Sequence, residues 1–598
     1  MGHVGETLAT FDYFVTFDIP RRSTFWHWLS IVLSGAQTGM IFGLVKILSD
    51  YFNELRYLII TAFGGGWATL GALAAVSIPL VTSTCTATLL MEPVAGGSGM
   101  TDVVASLNGI VITKLFRPKT YLLRIFGFWV AMSSGLWVGP EAPMIYIGAT
   151  ATQIVGRILS QCSGRNQTAK EEYDSLCSGA AMGAAAAFRA PLTGTVMLME
   201  GFGLLWHHSL VWQTFCGSFI AVVVSATFGS KFTCTFALCS SAPGDFVFPG
   251  SWTDGISVVA ILCSSVTLGV VKTAFSWATF ALAECWRKIP VEWKPLAAIT
   301  LLFITATATF VAFTGIFVVG ASAGFTMVIG AHEEAVRFVL LTQSIPLWLL
   351  VIVPVVVYIQ LLFLHFTPLV GGIFLPSIFA GACIGRFYAD LLGSASPGLV
   401  AVCGAASGLV GYFRYPLTVS VLIAEVTSNM FVSIPVMAAV ILSKAVADLL
   451  SPSVVNIMTA SKGYHLLTHV DDKVGMSLRG RTAGDYARPI TCVLEGFDLR
   501  LLATVLDSNP EQDYFPIVSV DLRVVAGLTR SVAEAALLAG RLPGSLDKPL
   551  VVDERMEIVK CHRLVRDNGM KMLVVVSHYN KVFIGVLCRE DLTTAITS

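Results

Sequence analysis

Charged residues are scarce in this sequence. Asp, Glu, Lys and Arg make up 13% of 598 residues, apolar types reach 55%, and mean hydropathy is +0.75. An ordinary soluble domain carries about 25% charge. At half that density the chain cannot coat a water-facing surface of its own size, so lipid must be its solvent over most of its length. A charge excess of either sign is also missing, since 38 basic residues meet 38 acidic ones. This excludes a nucleic-acid partner, which needs clustered basic residues. The 13 cysteines show neither CxxC pairs nor metal-ligand spacing and read mostly as small core residues. Cys234 and Cys239, in a polar stretch, are the one candidate pair. The N-terminus lacks the basic head, single apolar core and small-residue cleavage site of a signal peptide.

What is present is a segment written twice. Residues 179–200 read GAAMGAAAAFRAPLTGTVMLME and residues 404–425 read GAASGLVGYFRYPLTVSVLIAE. About half the positions are identical, including Phe-Arg-x-Pro-Leu-Thr, and both copies end on a Glu inside apolar sequence. Paired hydrophobic segments broken by Gly and Pro at matching places in two halves point to a transporter with its site between the repeats.

From about Thr24 to Met458, apolar stretches alternate with short polar or Gly/Pro-rich joints, at 26–51, 57–80, 121–138, 205–228, 256–284, 295–319, 346–366 and 431–450. Many reach the roughly 20 residues that a spanning helix needs. Others, 103–115, 179–187 and 373–384, are too short to span and lie beside Gly-rich breaks. Short helices with unwound ends survive at membrane depth only where they face protein or a polar cavity, so they mark the site. The reading is a polytopic all-α membrane domain at 26–458, with repeats at about 26–230 and 255–458, after an N-terminal segment at 1–25. A linker at 459–483, carrying Lys462, Lys473, Arg479 and Arg481, leads to a soluble α/β module at 484–598, which the basic stretch places in the cytosol. That module repeats too: FPIVSVDLRVVAGLTR (515–530) and LVVVSHYNKVFIGVLCR (573–589) each read as a β-hairpin feeding a helix.

Three Gly-punctuated turns run into helix starts: GGSGM (96–100), GPEAP (139–143) and GGIFLP (371–376). A helix N-terminus offers unpaired N–H groups and a partial positive charge, a site for an anion without a full cation. Several such ends converging would bind a small anion weakly enough to release it. A membrane-embedded enzyme is the alternative class. Its only candidates, His207-His208 and His332-Glu333-Glu334, lack a second ligand set and read as interfacial polar residues. A pure receptor role leaves the three helix starts unexplained.

With these motifs the chain resembles the CLC family of chloride channels and chloride/proton antiporters. GSGM is similar to that family's GSGIP, GPEAP to its GxEGP, and GGIFLPSIFAGACIGR to its GxFxP segment. AAFRAPLTG and the SKAVAD run (443–448) also match, and the tail resembles the CBS pair of eukaryotic members. The resemblance implies a CLC-like membrane domain of inverted-topology repeats followed by a CBS pair. It also implies a homodimer with one pore per subunit, chloride as bound ligand and no required cofactor. Ser98 and Gly99, with the amides of Ile373 and Phe374, would hold the anion, serine being the chloride-preferring form of the motif. Glu141 would be the gate, its carboxylate mimicking the anion until protonated or displaced, as fits an ionisable group inside a membrane span.

The departures from the pattern matter. Pro140, Ala142 and Thr101 replace other residues around the motifs. Asn456 stands where the family's central-site tyrosine is expected. Gly201 stands where antiporters carry a second, inner glutamate, and it cannot relay a proton. Glu200 and Glu425 read as structural. In the tail, Asp591 fits a ribose-binding acid, with Cys588 where Ser or Thr is expected, so an adenine nucleotide is a candidate ligand beside a purely dimer-forming role. The reading leans to a gated chloride channel; the alternative is an antiporter whose protons reach Glu141 through water.

Overall fold

The structure is a computed structural model that describes residues 21–63, 67–107, 112, 114–163, 169–202, 208–228, 254–328, 332–342, 344–427, 429–462, 482–510, 512, 514–539, 551–556, 558, 561, 572–577 and 582–588. The first half of the membrane region holds α1 (Arg21–Phe63), α2 (Trp67–Met91), α3 (Met100–Leu107), α4 (Pro118–Ser133), α5 (Glu141–Ser163), α6 (Ala169–Phe188), α7 (Pro191–Met197) and α8 (His208–Thr227). The second half holds α9 (Gly255–Arg287), α10 (Lys294–Val328), α11 (His332–Leu341), α12 (Leu347–Leu364), α13 (Phe374–Leu392), α14 (Pro397–Phe413), α15 (Pro416–Thr427), α16 (Ser433–Leu450) and α17 (Val454–Ser461). Seven candidate spans among the described residues are long and apolar enough to cross a bilayer. This is a multi-pass membrane protein.

One expected joint is not there. The polar residues at 52–56 do not interrupt the first helix, which runs on to Phe63. No Gly or Pro breaks the backbone there, and Arg56 is buried, its Nη1 donating to Asn53 Oδ1 at 3.2 Å. Arg56 turns inward while Glu54 stays exposed, and neither interrupts the ladder of backbone hydrogen bonds.

The two halves mirror each other. α5 packs along α6 as α13 packs along α14, with glycines at each crossing. Each copy of Phe-Arg-x-Pro bends on its arginine: Arg189 and Arg414 both take left-handed backbone, at φ 56° and 65°. The next helix then starts on Pro191 or Pro416. The terminal glutamates cross over. Glu425 accepts from the N–H groups of Leu192 and Thr193 at 2.9 Å each, capping α7. Glu200 accepts from those of Leu417 and Thr418 at 3.1 and 2.7 Å, capping α15. Each repeat thus finishes a helix of the other, with a charge suited to a helix N-terminus.

The C-terminal module has two three-stranded sheets among its described residues. β1 (Val493–Leu494) pairs parallel with β2 (Tyr514–Val518), which pairs antiparallel with β3 (Val524–Thr529). β4 (Val551–Asp553), β5 (Met572–Val576) and β6 (Phe583–Cys588) repeat that topology. Both hairpins carry an irregularity at the matching step, Ile517/Val518 and Val575/Val576. Short helices α18 (Ala483–Tyr486), α19 (Leu499–Ser508) and α20 (Arg530–Ala539) accompany them. The fold class read from the sequence, helical inverted repeats followed by an α/β pair, is the one observed.

Candidate functional site

The GGSGM turn is held from behind. Gly97 and Gly99 both take positive φ, 77° and 81°, and a side chain on Gly99 would run into Arg124 and Tyr146. Arg124, fully buried, gathers the carbonyls of the preceding turn. Its Nη2 donates to Val94 at 2.6 Å and its Nε to Ala95 at 3.1 Å. The guanidinium lies 3.9 Å from the Tyr146 ring centroid and pairs with Asp102 at 3.2 Å. Lys462 closes the other side of Asp102 at 2.7 Å. Ser98 therefore stands at the tip of a turn whose carbonyls are occupied elsewhere, next to the start of α3.

The second and third motifs are stitched together. Gly139 and Gly372 exchange both backbone hydrogen bonds at 2.7 Å, so α5 and α13 begin side by side. Gly139 must lack a side chain, because a Cβ there would occupy the place of Glu141 Oε2. Glu141 is 0% exposed, and neither carboxylate oxygen has a hydrogen-bond partner. The carboxylate faces its own N–H and that of Leu375 without closing a bond to either. Ile373 is the residue before α13 and offers no side-chain cap, which leaves the helix end to its own amides. The Phe374 ring stacks on Phe413 at 3.7 Å between centroids and meets Phe188 edge-on at 5.5 Å.

A cavity of about 480 Å³ reaches this junction. Ser98, Ile373, Gly372 and Ala142 line it, as do Phe413, Tyr412, His365, Lys294 and Lys462. Ser98, Gly97, Ile373 and Ala142 are thus brought to one place, while Gly99, Glu141 and Phe374 adjoin them in the chain without lining the cavity. Asn456 is not brought there. It lines a separate cavity of about 270 Å³ with Phe280, Glu284 and Arg287. The cause is helical phase: Val455 and Met458, three apart, turn to the main cavity, which carries Asn456 and Ile457 round to the other face. The expectation that Asn456 stands beside the anion does not fit this arrangement.

Gly201 has a physical reason. Any Cβ at that position would lie 2.6 Å from the Tyr415 ring, so an aromatic fills the space an inner acid would need. Glu333 is taken by an ion pair with Lys46 at 2.6 Å, and the His332 ring lies 4.4 Å from that of Trp137. The Glu333 carboxylate is thus engaged by Lys46, and the His332 ring is packed on an indole. Asp591, Cys234, Cys239 and His207 lie outside the described residues. Sequence reading missed Arg124, Lys272, His365 and Tyr412; the available signal was a lone polar residue inside each apolar run.

A family model described as voltage gated chloride channel matches residues 78–448. Among curated relatives, chloride channel protein C of Dictyostelium discoideum is 24% identical over 83% of this chain and 72% of its own length. H(+)/Cl(-) exchange transporter 7 of Homo sapiens is 26% identical over 82% of this chain and 67% of its own. Chloride channel protein CLC-c of Arabidopsis thaliana is 25% identical over 77% and 66%. The chain thus spans about two thirds of the length of most of these relatives. A solved eukaryotic CLC transporter superposes with a TM-score of 0.72 at 19% identity, over 95% of this chain and 98% of that one. A cyanobacterial Cl-/H+ antiporter gives 0.60 at 19% identity, over 73% and 98%. With a family model covering more than half of it, the chain belongs to the voltage gated chloride channel family.

Proposed function

We propose that this chain carries chloride and similar small anions across a membrane, through a pathway of its own that Glu141 closes. One observation carries the reading: a fully buried carboxylate with both oxygens unpartnered, where two helix N-termini meet. Burying a polar group without a partner costs several kcal/mol. A carboxylate kept there is one that takes a proton or gives way to an anion that the same amides can hold. Ser98, Gly99, Ile373 and Phe374 form the anion site in this reading. The protein works as a homodimer with the C-terminal module in the cytosol, where an adenine nucleotide is its candidate ligand.

Two modes of transport each have support. Passive conduction is supported by Gly201 and Tyr415, which put an aromatic ring where an inner proton acceptor would stand. Exchange for protons is supported at least as well, by relatives named as exchangers. The experiment loads liposomes with a chloride gradient and follows both chloride and internal pH. Chloride flux without uphill proton movement supports a channel; proton pumping driven by chloride alone supports an exchanger. In either mode Glu141→Ala should keep chloride flux and flatten its rise toward low pH, since protonation of Glu141 opens the wild-type path. A folded variant with unchanged pH dependence would sink the gate assignment.

A further inference from the structure

One wall of the main cavity carries titratable groups that the proposed pathway does not use. His365 follows the last turn of α12, with Nδ1 2.5 Å from the Leu361 carbonyl and Nε2 hydrogen-bonded to the Tyr412 hydroxyl. A carbonyl only accepts, so Nδ1 carries the hydrogen. In the neutral ring Nε2 is then bare, and the Tyr412 O–H donates to it. Lys272, 0% exposed on α9, stands behind this pair. Its Nζ lies 3.2 Å from Ser377 Oγ, 4.4 Å from the Tyr358 ring centroid and 5.4 Å from that of Tyr412.

The charges around the pair are lopsided. Lys294 and Lys462 line the cavity with His365, and no Asp or Glu does among the described residues. Asp102, the nearest acid to Lys462, is shared with Arg124, and Arg414 at the end of α14 pairs with Asp448. An imidazolium formed at His365 would therefore share this cavity with Lys294 and Lys462 and with no carboxylate in its lining. An anion is the counter-ion that this cavity calls for.

We propose that His365 and Tyr412 form a proton-controlled anion donor. When Nε2 takes a proton from cavity water, it becomes the donor to the Tyr412 oxygen. The Tyr412 hydroxyl hydrogen then turns from the ring toward the cavity and donates to an anion there. One proton moves from water to Nε2, no other bond is made or broken, and the anion balances the new positive charge. Tyr412 supplies from α14 a phenolic donor that position 456 does not bring to this cavity. Proton uptake and anion binding then favour each other by the same factor. The proposal rests on the anion reading of the Ser98–Ile373 cavity.

The test is calorimetric titration of the purified full-length protein with chloride at pH 8 and pH 5.5. It is done in Glu141→Gln, so that the gate carboxylate no longer titrates. An anion bound beside Tyr412 favours the protonated ring and so draws its titration up into that range. Affinity should rise about tenfold at the lower pH, the scale of one charge acting across a partly hydrated site. Heats in buffers of different ionisation enthalpy should count up to one proton taken up per chloride, a readout that needs no further variant. Adding Tyr412→Phe, which keeps the ring and removes the hydroxyl, or His365→Gln should hold the change below twofold. Thermal unfolding verifies that each variant is folded. Equal affinity at both pH values in Glu141→Gln, or tightening that survives Tyr412→Phe, would overturn the proposal while leaving the anion site standing. Absence of chloride binding at either pH would overturn both.

Discussion

Glu141 and Gly201 show how much a single position can settle. The first repeat's Phe-Arg-x-Pro-Leu-Thr could be matched to the second by identity alone, and GPEAP marked Glu141 as a carboxylate at a helix start. Both were legible because the chemistry is local: a turn, a proline, a charge. The reason for Gly201 was not, because Tyr415 lies far along the chain and meets it only through the fold. That contact gives a prediction. Gly201→Glu should not restore a proton acceptor; it should overpack the Tyr415 ring at a cost of about 1–3 kcal/mol. The lower unfolding temperature this implies should recover largely in Gly201→Glu/Tyr415→Ala, measured on purified protein in detergent. A Gly201→Glu protein as stable as the parent would mean the ring yields freely.

Among the elements, the short helices beside the motifs were readable from their odd lengths, and their exact company was not. Asn456 illustrates the limit. Whether a residue faces one cavity or its neighbour depends on about 100° of rotation per residue along α17, which composition does not record. The crossed caps make a test at this scale. Glu200 and the Thr418 hydroxyl, 2.8 Å apart, belong to one cap, whereas Glu200 and Glu425 belong to two. Glu200→Gln and Thr418→Val should therefore cost little more together than the larger does alone. Glu200→Gln and Glu425→Gln should add, each worth about 0.5–2 kcal/mol, the size of a lost N-cap. Thermal unfolding of the single and double variants measures both cycles, and equal coupling in the two would contradict the crossed arrangement.

For the molecule as a whole, scarcity of charge and the internal repeat predicted a polytopic helical domain in two halves, the tail's own hairpin repeat predicted an α/β module, and the inverted topology came from the family resemblance. Long-range ion pairs such as Lys46–Glu333 stayed hidden because neither partner carries any mark of the other. In the proposed reading Ser98, Glu141, Ile373 and Phe374 all come from one chain, drawn from both of its halves, so each copy carries a pathway of its own. A tandem fusion of one normal and one Glu141→Ala copy should accordingly give a pH profile of flux that is the mean of the two parents. A profile matching either parent would show that the copies share a gate.

The crossed glutamates also bear on how the protein is made. When α7 emerges during synthesis, the N–H groups of Leu192 and Thr193 have no partner until Glu425 has been added. The first half therefore enters the bilayer with an unfinished helix end, in a solvent that offers nothing to bind it. Its cap waits for the second half, whereas Glu200 is already in place when α15 emerges. The chain's order of synthesis and its order of completion therefore differ: α7, made early, is finished only by a residue from the far end of the second repeat.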